Sequence, residues 1–366
     1  MQPQGPTNTD AGADRWQIND EVIRLREWAT NRCHVLPTTQ GSEWVIGSGS
    51  GCWLRLEDPR GRISRRHASL SRREGKWVLQ DVGSKNGIVV DGTKRPEVVL
   101  EPGLEIWLGG VVMVAESGRL VALRSFLERL LGWSSDQTRS VDLALHTVRN
   151  AATRQTALVL CGEGDMVAIA RALHSHLLGA ERPFIVCDPR RRQTDENVRA
   201  AENYRSGTEA LQAARSGSLC VWNHRLPPDF QSLADALKDP DTHVQLFVCA
   251  KEAAEAETFG ASPIAIPPVR SRPTELPRIV EEYAYDAADV LGVPRTHFLV
   301  EDRDWVITHA SESLPDVEKA TLRLLAIREA RGNMNRAAAQ LGMGRWSLSK
   351  WAGRRKLPMP VVDTEA

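Results

Sequence analysis

Between residues 21 and 115 apolar and polar side chains alternate in short runs: VIRLRE, HVLP, EWVIG, HASLSRR, KWVLQDV, GIVVDG and LEIWLGG. Turn signals such as Asp91-Gly92 separate them. Period-two alternation sets one face of each run against a core and the other in water, so the segment predicts an all-β sandwich. From about residue 125 to 298 the period changes. Amphipathic helical stretches such as VDLALHTVRNAAT and VAIARALHSHLL alternate with short apolar runs, TALVLCG, PFIVCD, GSLCVWN and VQLFVCA. Strands alternating with helices predict a parallel sheet covered on both faces. The stretch 316–357 is helical throughout, interrupted only at RGN and GMG.

Three periods in 366 residues imply a multidomain chain, each part able to bury its own core. The expected parts are a flexible N-terminal segment 1–19, a β-sandwich 20–118, an α/β parallel-sheet domain 125–298 and an all-α module 316–358. Residues 116–124 and 299–315 are expected as linkers.

Lys plus Arg equals Asp plus Glu, so overall charge selects no partner. Its distribution does. Residues 319–357 hold ten Lys or Arg against the single acid Glu329, a basic module at the end of a neutral chain. The six cysteines are scattered, with no C-x-x-C pair and no histidine at metal-ligand spacing, which implies reduced thiols and no metal or other cofactor. The N-terminal stretch MQPQGPTNTDAGAD is polar, without the apolar run of a signal peptide, and no 18-residue apolar stretch occurs, so a cytoplasmic protein is expected. The histidines lack acids or nucleophiles at a recognisable spacing, and no enzyme activity is expected.

Within the β segment, ISRRHASL (63–70) followed by DVGSKNGIVVDG (81–92) resembles the forkhead-associated (FHA) domain. The resemblance covers about 95 residues and keeps the order Gly47, then Ser64-Arg65-Arg66-His67, then Ser84-Lys85-Asn86-Gly87. It implies a sandwich whose loops at one end grip phosphothreonine. Ser64 and Arg65 would bind the phosphate, Lys85 would stand where threonine is usual, and Asn86 would hold the peptide backbone. Gly47, His67 and Gly87 would shape the loops. Ser48 occupies a position where the family carries arginine. Losing one charge-assisted contact costs about 1.5 to 3 kcal/mol, roughly a tenfold to hundredfold loss of affinity. Arg62, Arg65, Arg66 and Lys85 are the candidate replacements.

The middle segment is similar to the AAA+ domain of sigma-54-dependent activators. CGEGDMVAIARALH matches its phosphate loop and first helix, and GSLCVWNHRLPPDFQSLADALKD (217–239) matches its second nucleotide strand. The chemistry is missing from both. A phosphate loop needs a lysine for the β and γ phosphates and carboxylates on the next strands for magnesium. Here Gly162 and Gly164 remain, but Asp165 brings negative charge, Met166 takes the lysine position, and Trp222 and Asn223 replace the acids. Between PFIVCD and Gly217 the family's Gly-Ala-Phe-Thr-Gly-Ala loop, which touches sigma-54, has no counterpart. The resemblance therefore implies a degenerate AAA+ domain without ATP hydrolysis.

The last segment, RGNMNRAAAQLGMGRWSLSKWAGRRKL, resembles the Fis-type helix-turn-helix of the same activators. By that match Arg345, Trp346, Ser347, Ser349 and Lys350 lie on or near the base-facing surface. Arg354, Arg355, Lys356 and Arg336 would contact phosphates. Together the three resemblances imply a bacterial-type transcriptional regulator that binds DNA and senses a phosphothreonine partner, with a Ser/Thr kinase pathway as its source. A homodimer on a pseudo-palindromic site is the implied DNA-bound state, and self-association is otherwise left open. The alternative is an FHA phosphoprotein-binding adaptor with a vestigial ATPase domain and helix-turn-helix.

Overall fold

A computed structural model describes residues 20–38, 43–154, 156–190 and 201–357. The expected flexible segment 1–19 lies outside them. So do residues 191–200, within the stretch between PFIVCD and Gly217 that lacks the sigma-54 loop motif. The chain divides into two units, one running to Glu128 and including Trp133–Thr153, the other comprising Arg129–Gly132 and the residues from Arg154 onward.

The first unit is built on eleven strands: β1 (Val22–Glu27), β2 (Cys33–Val35), β3 (Trp44–Gly47), β4 (Leu54–Arg55), β5 (Ala68–Arg73), β6 (Lys76–Asp81), β7 (Ile88–Val90), β8 (Thr93–Arg95), β9 (Glu97–Val99), β10 (Glu105–Leu108) and β11 (Val111–Ser117). They form two sheets, ordered β2-β1-β11-β10-β7-β8 and β4-β3-β5-β6-β9. The alternating positions Leu25, Ile46, Leu70, Leu79, Ile88, Ile106 and Met113 are fully buried and make the core. Asp91 and Gly92 both have positive φ, 50° and 73°, and close the two-residue hairpin between β7 and β8 that their sequence announces.

Residues 118–124, expected as linker, are instead the start of a helix, α1 (Gly118–Leu131). The next helix, α2 (Thr138–Arg154), carries the helical pattern that groups it in sequence with the α/β segment, yet it stands in the first unit. Charge explains this. The buried carboxylate of Asp142 accepts from Arg26 at 2.6 and 3.0 Å, from the Ala29 amide at 2.6 Å and from Arg124. Arg26 also donates to the buried Glu116 of β11 at 2.6 Å. A helical period records which face is apolar, not which core that face covers.

The second unit holds a parallel sheet: β12 (Leu158–Cys161), β13 (Phe184–Cys187), β14 (Glu202–Tyr204), β15 (Ser218–Trp222), β16 (Gln245–Ala250) and β17 (Ile264–Ala265), in the order β14-β13-β15-β16-β12-β17. Every residue of β16 is buried, the mark of a central strand covered on both faces. Helices α3 (Met166–Leu178), α4 (Gly207–Ala213), α5 (Phe230–Ala236) and α6 (Leu276–Leu291) complete this part.

The expected linker 299–315 is also structured, because it contains α7 (Val300–His309). Buried Asp302 accepts from Arg328, and Trp305 stacks on His309 and meets Trp351 edge-on. The last three helices are α8 (Leu314–Glu329), α9 (Met334–Leu341) and α10 (Arg345–Arg354).

Candidate functional site

At one end of the sandwich three loops are tied into one cluster. Strand β3 stops at Gly47 because the chain carrying Ser64 and Arg65 crosses directly over it. A Cβ there would lie 2.8 Å from the Ser64 carbonyl oxygen and closer still to that of Arg65, so only glycine fits. His67, fully buried, joins the other two loops. Its Nδ1 accepts from the Ser64 amide at 3.2 Å and its Nε2–H donates to the Gly87 carbonyl at 3.1 Å, which fixes one neutral tautomer. The Lys85 amide donates to Ser64 Oγ at 3.0 Å, and Asn86 Nδ2 donates to the Arg62 carbonyl at 2.6 Å. Gly87, at φ 73°, donates its amide to Ser84 Oγ at 2.8 Å.

The side chains on this frame are disposed to meet an anion. Ser64 Oγ accepts from Lys85 but donates to nothing among the described residues, so its proton is available. Arg62, Arg65, Arg66 and Lys85 are exposed, and among the described residues none is ion-paired. Ser48 is brought to the same cluster. Its amide donates to the Ser64 carbonyl and its hydroxyl to the Ile63 carbonyl, both at 3.1 Å, so its role here is to hold the loop. Two residues not singled out in the sequence shape the site. Asp58 accepts from the amides of Arg60 and Arg62 at 3.0 and 2.9 Å, bonds that hold its carboxyl below the usual range and fix the turn presenting Arg62. Asp81 accepts from Ser84. The Asp-Pro-Arg-Gly run at 58–61 is a turn signal that marks the first of them.

Residues 44–109 match the FHA domain model. An FHA domain therefore occupies this part of the chain. Similar solved structures include an FhaA FHA domain complexed with the intracellular domain of Rv3910: 28% identity, 25% of this chain and 96% of that one, TM-score 0.23. Another is the first FHA domain of Mycobacterium tuberculosis Rv1747, at 26% identity, 27% and 98% coverage and TM-score 0.23. A third is Mycobacterium tuberculosis EmbR in complex with a low-affinity phosphopeptide, at 24% identity, 30% and 28% coverage and TM-score 0.24. No curated protein matches the chain.

The glycine-containing loop of the second unit lies between β12 and α3, and the chain itself fills its surroundings. Gly164, at φ 85°, faces Ser313, whose Oγ would stand 2.5 Å from a Cβ placed there. Asp165 is ion-paired with Lys319 of α8 at 2.8 Å, Glu163 is paired with Arg270, and Met166 is completely buried. Gly162 lies against Met166 and Ile266. Asn223, at the end of β15, donates to Glu255 at 2.8 Å, and Trp222 packs edge-on to His224. The loop itself, residues 162–166, holds no lysine, and Trp222 and Asn223 put no carboxylate at the end of β15. Among the described residues no group of three or more His, Cys, Asp or Glu is placed to hold a metal ion, and no helix is long and apolar enough to cross a membrane.

In the C-terminal helices, Asn333 caps α9 by accepting from the amides of Asn335 and Arg336, both at 3.1 Å, and Gly342 ends it in the left-handed region at φ 62°. A short turn leads to α10 at Arg345. Ala337, Ala338 and Leu341 of α9 and Leu348, Trp351 and Ala352 of α10 are buried. Arg336, Arg345, Trp346, Lys350, Arg354 and Lys356 are exposed; Ser347 and Ser349 are half-buried. Arg355 is half-buried, with its guanidinium 5.5 Å from the centre of the Trp351 ring, which Arg323 also approaches at 5.2 Å.

Histidine pairing was hidden from the sequence by separation along the chain. His34 meets Glu27 at 3.0 Å, His146 meets Glu105 at 3.0 Å and His297 meets Glu329 at 2.6 Å. These are contacts between an imidazole and a carboxylate at exposed or part-buried positions.

Proposed function

We propose that this protein is a transcriptional regulator. Its FHA loops receive a phosphothreonine on a partner protein, and its last two helices, as a helix-turn-helix, bind DNA. The α/β part of the second unit, a degenerate AAA+ domain, neither hydrolyses ATP nor remodels sigma-54. The observation that carries the first half is the Ser64 hydroxyl, with its proton available, set among unpaired Arg65, Arg66 and Lys85 within an FHA domain. A phosphate dianion gains most from charge-assisted donors in a fixed frame.

DNA binding is supported by the exposed face of α9 and α10. From Arg331 to Leu357 the chain holds no acid, and two short helices about a glycine-containing turn suit entry into a major groove. Loss of nucleotide chemistry is supported by the buried Met166 and by the Asp165–Lys319 pair, which places an acid where phosphates would have to lie.

The test is retention of the full-length protein on duplex DNA as salt is raised. A regulator loses affinity steeply, with a slope of about −0.9 per phosphate neutralised, and Arg345→Ala with Lys350→Ala flattens that slope. Weak, salt-insensitive retention overturns DNA binding and leaves the phosphoprotein adaptor.

A further inference from the structure

We infer that Trp346 reads the C5 methyl group of thymine, and so sets part of the sequence that the C-terminal helices recognise. This rests on the DNA-binding reading above and deepens it. Trp346 is the second residue of α10 and is 70% exposed, more than any other aromatic among the described residues. An indole that open to water is unusual in a helix whose other large apolar residues, Leu348 and Trp351, are buried.

Its neighbours set its orientation. Positions 346, 350 and 353 fall on one line of the helix, opposite the buried side. Lys350 Nζ lies 4.3 Å from the indole centroid, so the ammonium covers one ring face and holds the ring away from the core. Gly353 follows on the same line, and a Cβ there would meet nothing within 4 Å. The outward line thus offers a large apolar ring, a cation beside it, and then a gap through which a bulky partner can approach the backbone.

Charge selects the partner. No acid lies between Arg331 and Leu357, so the face complements a polyanion. In a major groove the bases present donors, acceptors and one apolar group, the thymine methyl. Lys350 and Arg345 suit the acceptors of guanine. The indole, with one N–H and a broad apolar surface, suits the methyl.

The experiment uses the full-length protein. A random duplex pool is enriched on the wild type, and each dT of the selected site is then replaced singly by dU, which removes only the methyl. Affinities are measured for wild type and Trp346→Ala, with melting temperatures to show that both are folded. We expect one dT→dU change to weaken the wild type about fourfold, the worth of one buried methyl-sized group. Trp346→Ala should weaken binding by a similar factor and be indifferent to that dU. Equal sensitivity of the two proteins to dU overturns the inference while leaving DNA binding intact, and so does insensitivity of both. Failure to enrich any duplex overturns DNA binding as well.

Discussion

His67 and Ser64 show how one side chain frames a site and another serves it. His67 spends both ring nitrogens on backbone groups of two loops, whereas Ser64 accepts one bond and keeps its proton for a ligand. The cysteines divide by burial in the same way. Burial pushes the Cys161 thiol up to about 11 and that of Cys187 to about 12. Burial also raises the Cys249 thiol, which lies beside Cys220 at 3.6 Å. Thiolate, not thiol, is the reactive species. Native protein treated with a maleimide near pH 8 should be modified at Cys33 and Cys52, the two that solvent reaches, although the Cys33 thiol is also raised, with the four buried ones reacting only after unfolding. Mass spectrometry of the labelled peptides checks this, and rapid native labelling of Cys249 would contradict the packing of the parallel sheet.

Helix α2 is held to the sandwich by the buried cluster of Arg26, Arg124, Glu116 and Asp142. Removing one partner of a buried ion pair leaves its mate unpaired in a poor solvent for charge, at a cost of about 3 to 5 kcal/mol. Asp142→Ala should accordingly lower the denaturant midpoint of the first unit by that equivalent. A change below about 1 kcal/mol would mean that water already serves the cluster. The same cluster shows where sequence reasoning stopped. The sandwich strands, the hairpin at Asp91-Gly92 and the continuous apolar runs of β12, β13, β15 and β16 are legible because period and turn chemistry are local. The residues brought together at the loop end, Gly47 in EWVIG and Ser64, His67, Lys85 and Asn86 in two short motifs, stand out in the sequence for the same local reason. The place of α2 was not legible, because it depends on a pairing between Arg26 and Asp142, far apart in the chain. Helix α7 was missed because its stretch is rich in charge; Asp302 and Trp305 find their partners, Arg328 and Trp351, only in the folded unit.

Across the whole chain, on the function proposed, ligand recognition falls to the FHA domain and the C-terminal helices, and scaffolding to the α/β sheet that lies between them in the sequence. Its glycine-containing loop is filled by Ser313 and by the Asp165–Lys319 pair. ATP with magnesium should therefore leave the melting temperature unchanged. A ligand present at about a hundred times its Kd would stabilise the fold by about 2.7 kcal/mol, enough to be seen by differential scanning fluorimetry, and a shift of that size would restore a nucleotide site. The most direct test of the account remains binding of the full-length protein to a phosphothreonine peptide library beside the same library unphosphorylated. The account expects retention only of the phosphorylated set. Ser64→Ala should weaken it at least about tenfold, the loss of one charge-assisted bond, and Asn86→Ala should weaken it too by removing the bond to the peptide backbone, with melting temperature nearly unchanged. Equal binding of phosphorylated and plain peptides, or undiminished binding by both variants, would contradict it.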